Sequence, residues 1–227
     1  MTTPLVFITG ASSGIGQALA LRFHQAGYRL ALAARRTEEV KTWATAQGIS
    51  ADSYEIYSAD VAVTDSIVAA GQACLVRQGV PDVVIANAGI SVGMDTADFA
   101  DLEVMRATFE TNNLGMAATF QPFVAAMCQR GSGKLVGIAS VAGIRGLPGH
   151  GTPRPARTAP FSWHETGMRC AGGPSPRPTP LTPTLAIHHA LPFFLLFALF
   201  NVIAPESRVL ASYPVRYCCL IRASLST

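Results

Sequence analysis

Lysine is absent from the sequence after Lys134, and acidic residues are scarce over the same stretch. Residues 152–227 contain 7 arginines, 2 glutamates and 11 of the 15 prolines, whereas residues 1–151 contain 12 acidic residues and 10 lysines and arginines. The net charge of +3 therefore arises in the last third of the chain. Aromatic residues do not alternate with its arginines, so we expect no nucleic-acid partner. The change of composition predicts a folded domain over 1–151 and an irregular tail over 152–227.

Cysteines are few and lack the spacing of metal ligands, which argues against a metal centre or a disulfide framework. We therefore expect reduced thiols in a cytoplasmic protein. The N-terminus has no basic segment, so no signal peptide is predicted. The apolar run at 190–204 contains Pro192 and Asn201 and falls short of a bilayer span. The five cysteines are Cys74, Cys128, Cys170, Cys218 and Cys219.

The sequence does contain a glycine-rich turn between a predicted strand and a predicted helix. Leu5–Ile8 is a short apolar run typical of a buried strand, and Ile15, Leu19 and Phe23 recur at helical spacing. A turn in this position aims backbone N–H groups and the positive end of the helix dipole at one point, where a pyrophosphate can bind. We interpret it as a dinucleotide-binding site rather than a permissive loop, because the strand and the helix both flank it. Its predicted binding residues are Gly10, Ser12, Ser13, Gly14, Ile15 and Gly16.

Two arginines follow the second predicted strand, Tyr28–Ala34. Arg35 and Arg36 lie where this strand ends, a point that faces the adenosine ribose in a doubly wound sheet. Arginine binds a ribose 2′-phosphate through its planar fork, whereas an acidic residue would accept hydrogen bonds from a free 2′-hydroxyl. The pair therefore favours NADP over NAD. The alternative is a solvated basic pair at the start of the next helix.

Helices and strands alternate along the first 140 residues. Such alternation is typical of parallel strands joined by crossover helices. We predict an α/β fold with a doubly wound parallel sheet of about five strands, followed by an irregular, proline-rich tail. The remaining predicted elements are helices at 37–47, 64–77 and 105–130, the last bent at Pro122, and strands at 54–58, 82–86 and 134–140.

With these elements placed, residues 1–151 resemble the classical short-chain dehydrogenase/reductase family. The glycine turn fits the family pattern Thr-Gly-x-x-x-Gly-x-Gly in full. The resemblance implies a Rossmann fold that binds NAD(P), and an oxidoreductase that interconverts an alcohol and a carbonyl of a small-molecule substrate by hydride transfer. The other matching positions are Asp60 with Val61, Asn87 with Ala88 and Gly89, Asn112 three residues before Gly115, and Ser140 within the run 138–143, followed by Leu147, Pro148 and Gly149.

The resemblance also implies a role for each matched residue. Asp60 and Val61 would meet the adenine ring, and Asn87–Gly89 would bind the cofactor at the end of the fourth strand. Ser140 would donate a hydrogen bond to the substrate's carbonyl oxygen, and Asn112 would hold a water in a proton relay.

The family's tyrosine and lysine have no counterparts in this sequence. The family places the tyrosine about thirteen residues after the serine and the lysine four residues later, where this chain has Pro153 and Arg157. Proline has no ionisable group, and a guanidinium stays protonated. Losing a positioned general acid costs on the order of 10²- to 10⁴-fold in rate. The alternative function is therefore a catalytically inactive dinucleotide-binding protein or a truncated, non-functional product.

The tail also replaces a helix and further strands that the family has. Eight prolines lie between residues 152 and 184 and exclude a long helix there. We therefore expect the strand at 134–140 to keep an open edge and a poorly covered face, and we do not expect the family's assembly through that helix.

Three interpretations of the tail stay open. The first is a shift of reading frame near Gly151, which predicts that another frame of the DNA encodes Tyr-x-x-x-Lys within a few codons. The second is a divergent tail with residues 190–204 as a membrane or partner anchor. The third is a tail segment that folds back over the sheet.

Overall fold

Short apolar runs form the strands, and segments with apolar residues at helical spacing form the helices between them. A computed structural model of the chain describes residues 3–95, 97–140 and 216–222. The predicted positions Pro153 and Arg157, the motif residues beyond Ser140 and the apolar run at 190–204 lie outside the described residues.

All the strands and helices predicted within residues 5–140 are present, with small shifts at their ends. None of the described helices is both long and apolar enough to cross a membrane. The strands are β1 (Leu5–Thr9), β2 (Arg29–Ala34), β3 (Tyr54–Ser58), β4 (Val83–Ala86), β5 (Lys134–Ser140) and β6 (Arg216–Arg222). The helices are α1 (Gly14–Gln25), α2 (Thr37–Ala46), α3 (Thr64–Arg77), α4 (Asp101–Phe109) and α5 (Gly115–Arg130), with a 3₁₀ turn at Ala51–Ser53 and a π-helical segment at Glu110–Leu114.

The strands form one sheet in the order β3-β2-β1-β4-β5-β6, and every neighbouring pair is parallel. The chain moves outward from β1 to β3 and then returns to place β4 on the other side of β1. The strand order therefore reverses between β1 and β4, and in such sheets ligands bind beside the carboxyl ends of the strands at this point. We call this side of the sheet the carboxyl edge.

Alternating side chains of β1 pack against helices on the two faces of the sheet. Val6 and Ile8 are fully buried in a cluster with side chains of α1 and α2. Phe7 is buried on the opposite face, where its ring centroid lies 4.9 Å from that of Phe123 on α5. Burial of each such side chain contributes about 1.5–3 kcal/mol, so the central strands anchor both layers.

Helices α3 and α5 approach closely because Gly71 has no side chain. A Cβ at this position would lie 2.7 Å from Cγ of Pro122. Pro122, the proline predicted in the long helix, therefore packs directly against α3 at Gly71.

The predicted helix at 105–130 begins four residues earlier, at Asp101, and runs through the π-helical segment into α5. Two aspartates make hydrogen bonds at this start. Oδ1 of Asp98 accepts a hydrogen bond from the Ala100 N–H at 2.9 Å, and Oδ2 of Asp101 accepts one from the Asp95 N–H at 2.6 Å. The first bond satisfies the N–H of the residue before α4, and the second holds the loop at residue 95 against the helix start.

The expected open edge at residues 134–140 is wrong, because β6 pairs with β5 along its whole length, from Lys134 opposite Arg216 to Ser140 opposite Arg222. The expected poorly covered face is wrong as well. Leu135 and Val136 point to opposite faces, and each is at most 1% exposed. The third interpretation of the tail, a segment that folds back onto the sheet, therefore describes residues 216–222.

Two cysteines of the described helices differ in state. Cys74 on α3 is a buried free thiol. Cys128 on α5 is disulfide-bonded, which departs from the expectation of reduced thiols.

Candidate functional site

The glycine turn leaves β1 at the carboxyl edge and has no room for side chains at two of its glycines. Gly10 has a φ of +69°, and a Cβ there would lie 2.9 Å from Cα of Ala88. A Cβ on Gly16 would collide with the carbonyl oxygen of Gly10 and lie 2.8 Å from its carbon. Because only glycine fits both positions, the first turn of α1 packs directly onto the end of β1.

The start of α1 presents backbone donors to solvent. Ser13 precedes the helix in an extended conformation, makes no side-chain capping bond, and is exposed together with Gly14. The first turn of α1 contains no acidic residue. Gln17 donates from Nε2 to the Ser12 carbonyl at 2.8 Å and so fixes the preceding loop. An uncapped helix start with this geometry can bind an anion such as a pyrophosphate.

A buried hydroxyl joins the glycine turn to the end of β4. Thr9 is 1% exposed, and its Oγ1 accepts hydrogen bonds from the N–H groups of Asn87 at 3.0 Å and Ala88 at 3.1 Å. Asn87 returns a bond from Nδ2 to the Thr9 carbonyl at 2.9 Å. The predicted motif at Asn87–Gly89 therefore holds β1 and β4 together at the switch point, besides any contact with a ligand.

Arg35 and Arg36 lie on the surface directly after β2, beside the glycine turn. Nη1 of Arg35 lies 3.5 Å from Oδ2 of Asp60. Nη1 of Arg36 lies 3.0 Å from Oε2 of Glu39, and its Nη2 donates to Oγ of Ser12 at 3.3 Å. Both guanidinium groups are thus held at the carboxyl edge by carboxylates, and one of them contacts the glycine turn.

Asp60 and Val61 form the loop after β3. Asp60 accepts a hydrogen bond from the Ala62 N–H at 3.0 Å, and its own N–H donates to Oγ of Ser66 at 3.1 Å. The Val61 carbonyl packs closely against the start of α5. A Cβ on Gly115 would lie 2.6 Å from the Val61 oxygen. The loop is therefore rigidly held against two helices.

Asn112 lies in the π-helical segment, and both polar atoms of its amide bind the loop after β4. Oδ1 accepts a hydrogen bond from the Ile90 N–H at 2.8 Å, and Nδ2 donates to the Ile90 carbonyl at 2.8 Å. A Cβ on Gly89 would lie 3.1 Å from the same Oδ1. The structure thus places Asn112 as a clamp on residues 89–90, in a segment type that is frequent at functional sites.

The predicted residues come together because parallel strands share one carboxyl edge. Ser140 is the last residue of β5 and pairs with Arg222 of β6, beyond the stretch of β5 that pairs with β4. The predicted positions that follow or end successive strands are Gly10 after β1, Arg35 after β2, Asp60 after β3, Asn87 after β4 and Ser140 on β5.

Two features of this site, Glu39 and the π-helical segment, are not identified from the sequence. The sequence pattern places Glu39 only within the predicted helix at 37–47, although its spacing of three residues from Arg36 is typical of a helical ion pair. The π-helical segment had no readable signature beyond polar residues in an otherwise apolar helix, since nothing local distinguishes it from an α-helix.

Comparisons with known proteins show which family the chain resembles. Residues 4–152 match the family model described as short chain dehydrogenase. An uncharacterised oxidoreductase of Myxococcus xanthus is 36% identical over 153 residues, which cover 66% of this chain and 59% of the relative. The matches span 59% and 44% of the first two curated relatives, so the chain covers about half of their length.

Two solved structures share the fold. An alcohol dehydrogenase from the archaeon Thermococcus sibiricus, complexed with 5-hydroxy-NADP, has a TM-score of 0.64 and 28% identity, with 73% of this chain and 70% of that chain covered. A variant of actinorhodin polyketide ketoreductase with NADPH has a TM-score of 0.67 and 29% identity, with 72% and 63% covered. The chain therefore belongs to the short-chain dehydrogenase family.

Proposed function

We propose that the carboxyl edge of the sheet binds NADP, as the cofactor for interconversion of an alcohol and a carbonyl by hydride transfer. The observation that carries this proposal is the exposed, uncapped start of α1 beside two arginines at the end of β2. The site suits a phosphate because the glycines at 10 and 16 let the turn pack tightly against its neighbours, while the space beside Gly14 at the helix start is open, with no atom within 4 Å of a Cβ there. Two solved family members whose folds match this chain contain NADP-type cofactors, which supports the choice.

The residues at the edge divide between the parts of such a cofactor. The glycine turn would hold the pyrophosphate, and Arg35 and Arg36 would pair with the 2′-phosphate. Asp60 and Val61 would border the adenine. Asn87–Gly89 would border the cofactor at the end of β4.

Bound NADP supplies the hydride acceptor or donor, and the chain's own residues position the substrate oxygen. Ser140 is the residue we assign to that oxygen, through a hydrogen bond from its hydroxyl. Asn112 keeps the neighbouring loop in place through its two bonds to Ile90. The family resemblance also assigns Asn112 a water of the proton relay.

A second candidate is the same NADP site without catalysis. It is favoured by Pro153 and Arg157, which stand where the family has a tyrosine and a lysine. Without the tyrosine the developing alkoxide lacks its positioned proton donor, a loss worth on the order of 10²- to 10⁴-fold in rate.

Calorimetric titration of the full chain with NADP and NAD tests the site that both candidates share. We expect NADP to bind more tightly than NAD, and the double variant Arg35→Ala/Arg36→Ala to lose that difference. Equal binding of the two nucleotides by the wild-type chain would contradict the NADP assignment.

Turnover of a carbonyl panel with NADPH separates the two candidates. Reduction that disappears in Ser140→Ala supports the enzyme. NADP binding without reduction above background supports the inactive binding protein.

A further inference from the structure

The guanidinium of Arg36 bridges the first turn of α2 and the glycine turn. Its Nη1 lies 3.1 Å from Oε1 and 3.0 Å from Oε2 of Glu39, so both carboxylate oxygens face one nitrogen. Its Nη2 donates to Oγ of Ser12 at 3.3 Å. Both terminal nitrogens of Arg36 therefore have partners before any ligand arrives.

We propose that Glu39 sets the preference between NADP and NAD by competing with the 2′-phosphate for Arg36. This inference rests on the proposed NADP site. A phosphate is bound best when the guanidinium offers it two parallel donors. Arg36 can offer the end-on pair, Nη1 and Nη2, only by giving up part of its contact with Glu39 at Nη1 and its bond to Ser12 at Nη2. A ribose with a free 2′-hydroxyl needs no such exchange, so Glu39 weakens the binding of NADP and leaves that of NAD unchanged.

Charge adds to this competition. The carboxylate of Glu39 stays in the first turn of α2, close to Arg36, after the pair opens. It then repels a 2′-phosphate bound at the same arginine, because like charges at short range disfavour each other. Arg35 is less constrained, since within the described part of the chain it has one ion-pair contact, with Asp60 at 3.5 Å, and its side chain is 70% exposed.

The neighbouring glutamate provides a matched control. Glu38 lies in the same exposed first turn of α2 and carries the same charge. It forms no ion pair with another residue of the described part of the chain. Glu38→Gln therefore removes one negative charge from this turn without releasing Arg36.

The experiment is calorimetric titration of the full chain with NADP and NAD, for wild type, Glu39→Gln, Glu38→Gln, Arg36→Ala and the double variant Glu39→Gln/Arg36→Ala. We expect Glu39→Gln to raise the preference for NADP over NAD by about two- to fivefold, in line with the modest strength of exposed ion pairs. Glu38→Gln should leave that preference within about 1.5-fold of wild type, because the surrounding salt screens an unpaired charge. In the Arg36→Ala background, Glu39→Gln should not change the preference for NADP over NAD.

Other results of these titrations would contradict the competition between Glu39 and the 2′-phosphate. An equal gain in Glu38→Gln, or a gain that persists without Arg36, would show a diffuse charge effect and overturn the competition. An unchanged or reduced preference in Glu39→Gln would overturn it as well. If the wild-type chain binds neither nucleotide, the proposed function itself fails, which the wild-type titration alone reveals.

Discussion

The hydroxyl of Thr9 is a single group on which the geometry of the carboxyl edge depends. It accepts two backbone N–H groups of the β4 loop and donates to the Ile85 carbonyl at 3.4 Å. Its burial keeps water from replacing these bonds. The position of the glycine turn relative to Asn87 therefore depends on one side-chain oxygen.

Thr9→Val should destabilise the fold by about 1–3 kcal/mol, because the isosteric side chain leaves the N–H groups of Asn87 and Ala88 without an acceptor. Thr9→Ser keeps the hydroxyl and loses one methyl group, so its cost should be about 0.8 kcal/mol or less. Urea unfolding measures both free energies. Amide exchange at residues 87 and 88 should quicken in the valine variant, and equal stability of the two variants would contradict this role.

At the residue scale the sequence predicted what depends on local chemistry. The glycines of the turn and the arginines after β2 were readable because short neighbouring segments determine their backbone context. The contact of Arg36 with Ser12 was not, since Ser12 lies 24 residues away and meets the arginine only when β1 and β2 align. The bonds of Asn112 to Ile90 depend likewise on how the long helix packs against β4.

Strand β3 and helix α3 meet in a cluster of polar and titratable groups on the edge of the core. The Tyr57 hydroxyl donates to Oε2 of Glu55 at 2.7 Å, and it lies 3.1 Å from Oε1 of Gln78. Burial raises the pKa of Tyr57, and the bond to Glu55 adds to the rise. Burial also raises the pKa of the Cys74 thiol from 9.0 to about 12. Both groups are therefore neutral in the folded protein at neutral pH.

Because of the buried Cys74 thiol, the free energy of unfolding should decrease at alkaline pH. A folded chain that keeps the Cys74 proton binds more protons than the unfolded chain above pH 9, so stability is fully present below pH 9 and is lost as the pH rises toward 12. Over that window the free energy of unfolding should fall by about 1.4 kcal/mol per pH unit more in the wild type than in Cys74→Ala. Urea unfolding at several alkaline pH values gives the slopes, and parallel slopes would rule out the contribution of this thiol.

At the element scale the predictions failed where an element depends on distant contacts. The strands at 54–58 and 134–140 and the helix at 64–77 were predicted with their actual bounds, because apolar spacing and end residues define them locally. The early start of α4 was readable in principle from Asp98 and Asp101. The π-helical segment at Glu110–Leu114 has no local sequence pattern that distinguishes it from an α-helix.

The pairing of the sixth strand, β6, with β5 depends on how the whole chain folds. Tyr217–Ile221 is a short apolar run of the kind that forms buried strands, but the irregular composition around it hid this pattern. Its partner β5 ends 76 residues before β6 begins. No sequence pattern specifies pairing over such a distance, and only the topology shows that residues 216–222 extend the sheet beyond β5.

The end of β5 offers a direct test of this pairing. Strand β4 pairs with Lys134–Gly137 only, so among the described strands residues 138–140 have β6 as their sole partner. Their amides that face β6 should exchange slowly with deuterium in the full chain. Fast exchange there in wild type, beside slow exchange at 134–137, would show that the strand is not paired.

Two prolines in β6 should remove this protection. Adjacent residues of a strand point their N–H groups to opposite sides, so in Cys219→Pro/Leu220→Pro one of the two lost donors faces β5. Exchange at residues 138–140 should then quicken about tenfold, as expected for the loss of one ladder hydrogen bond and its local order. The matched variant Cys219→Ala/Leu220→Ala keeps both donors and should exchange like wild type. Equal acceleration in both variants would assign the effect to the lost side chains and contradict a backbone ladder between β5 and β6.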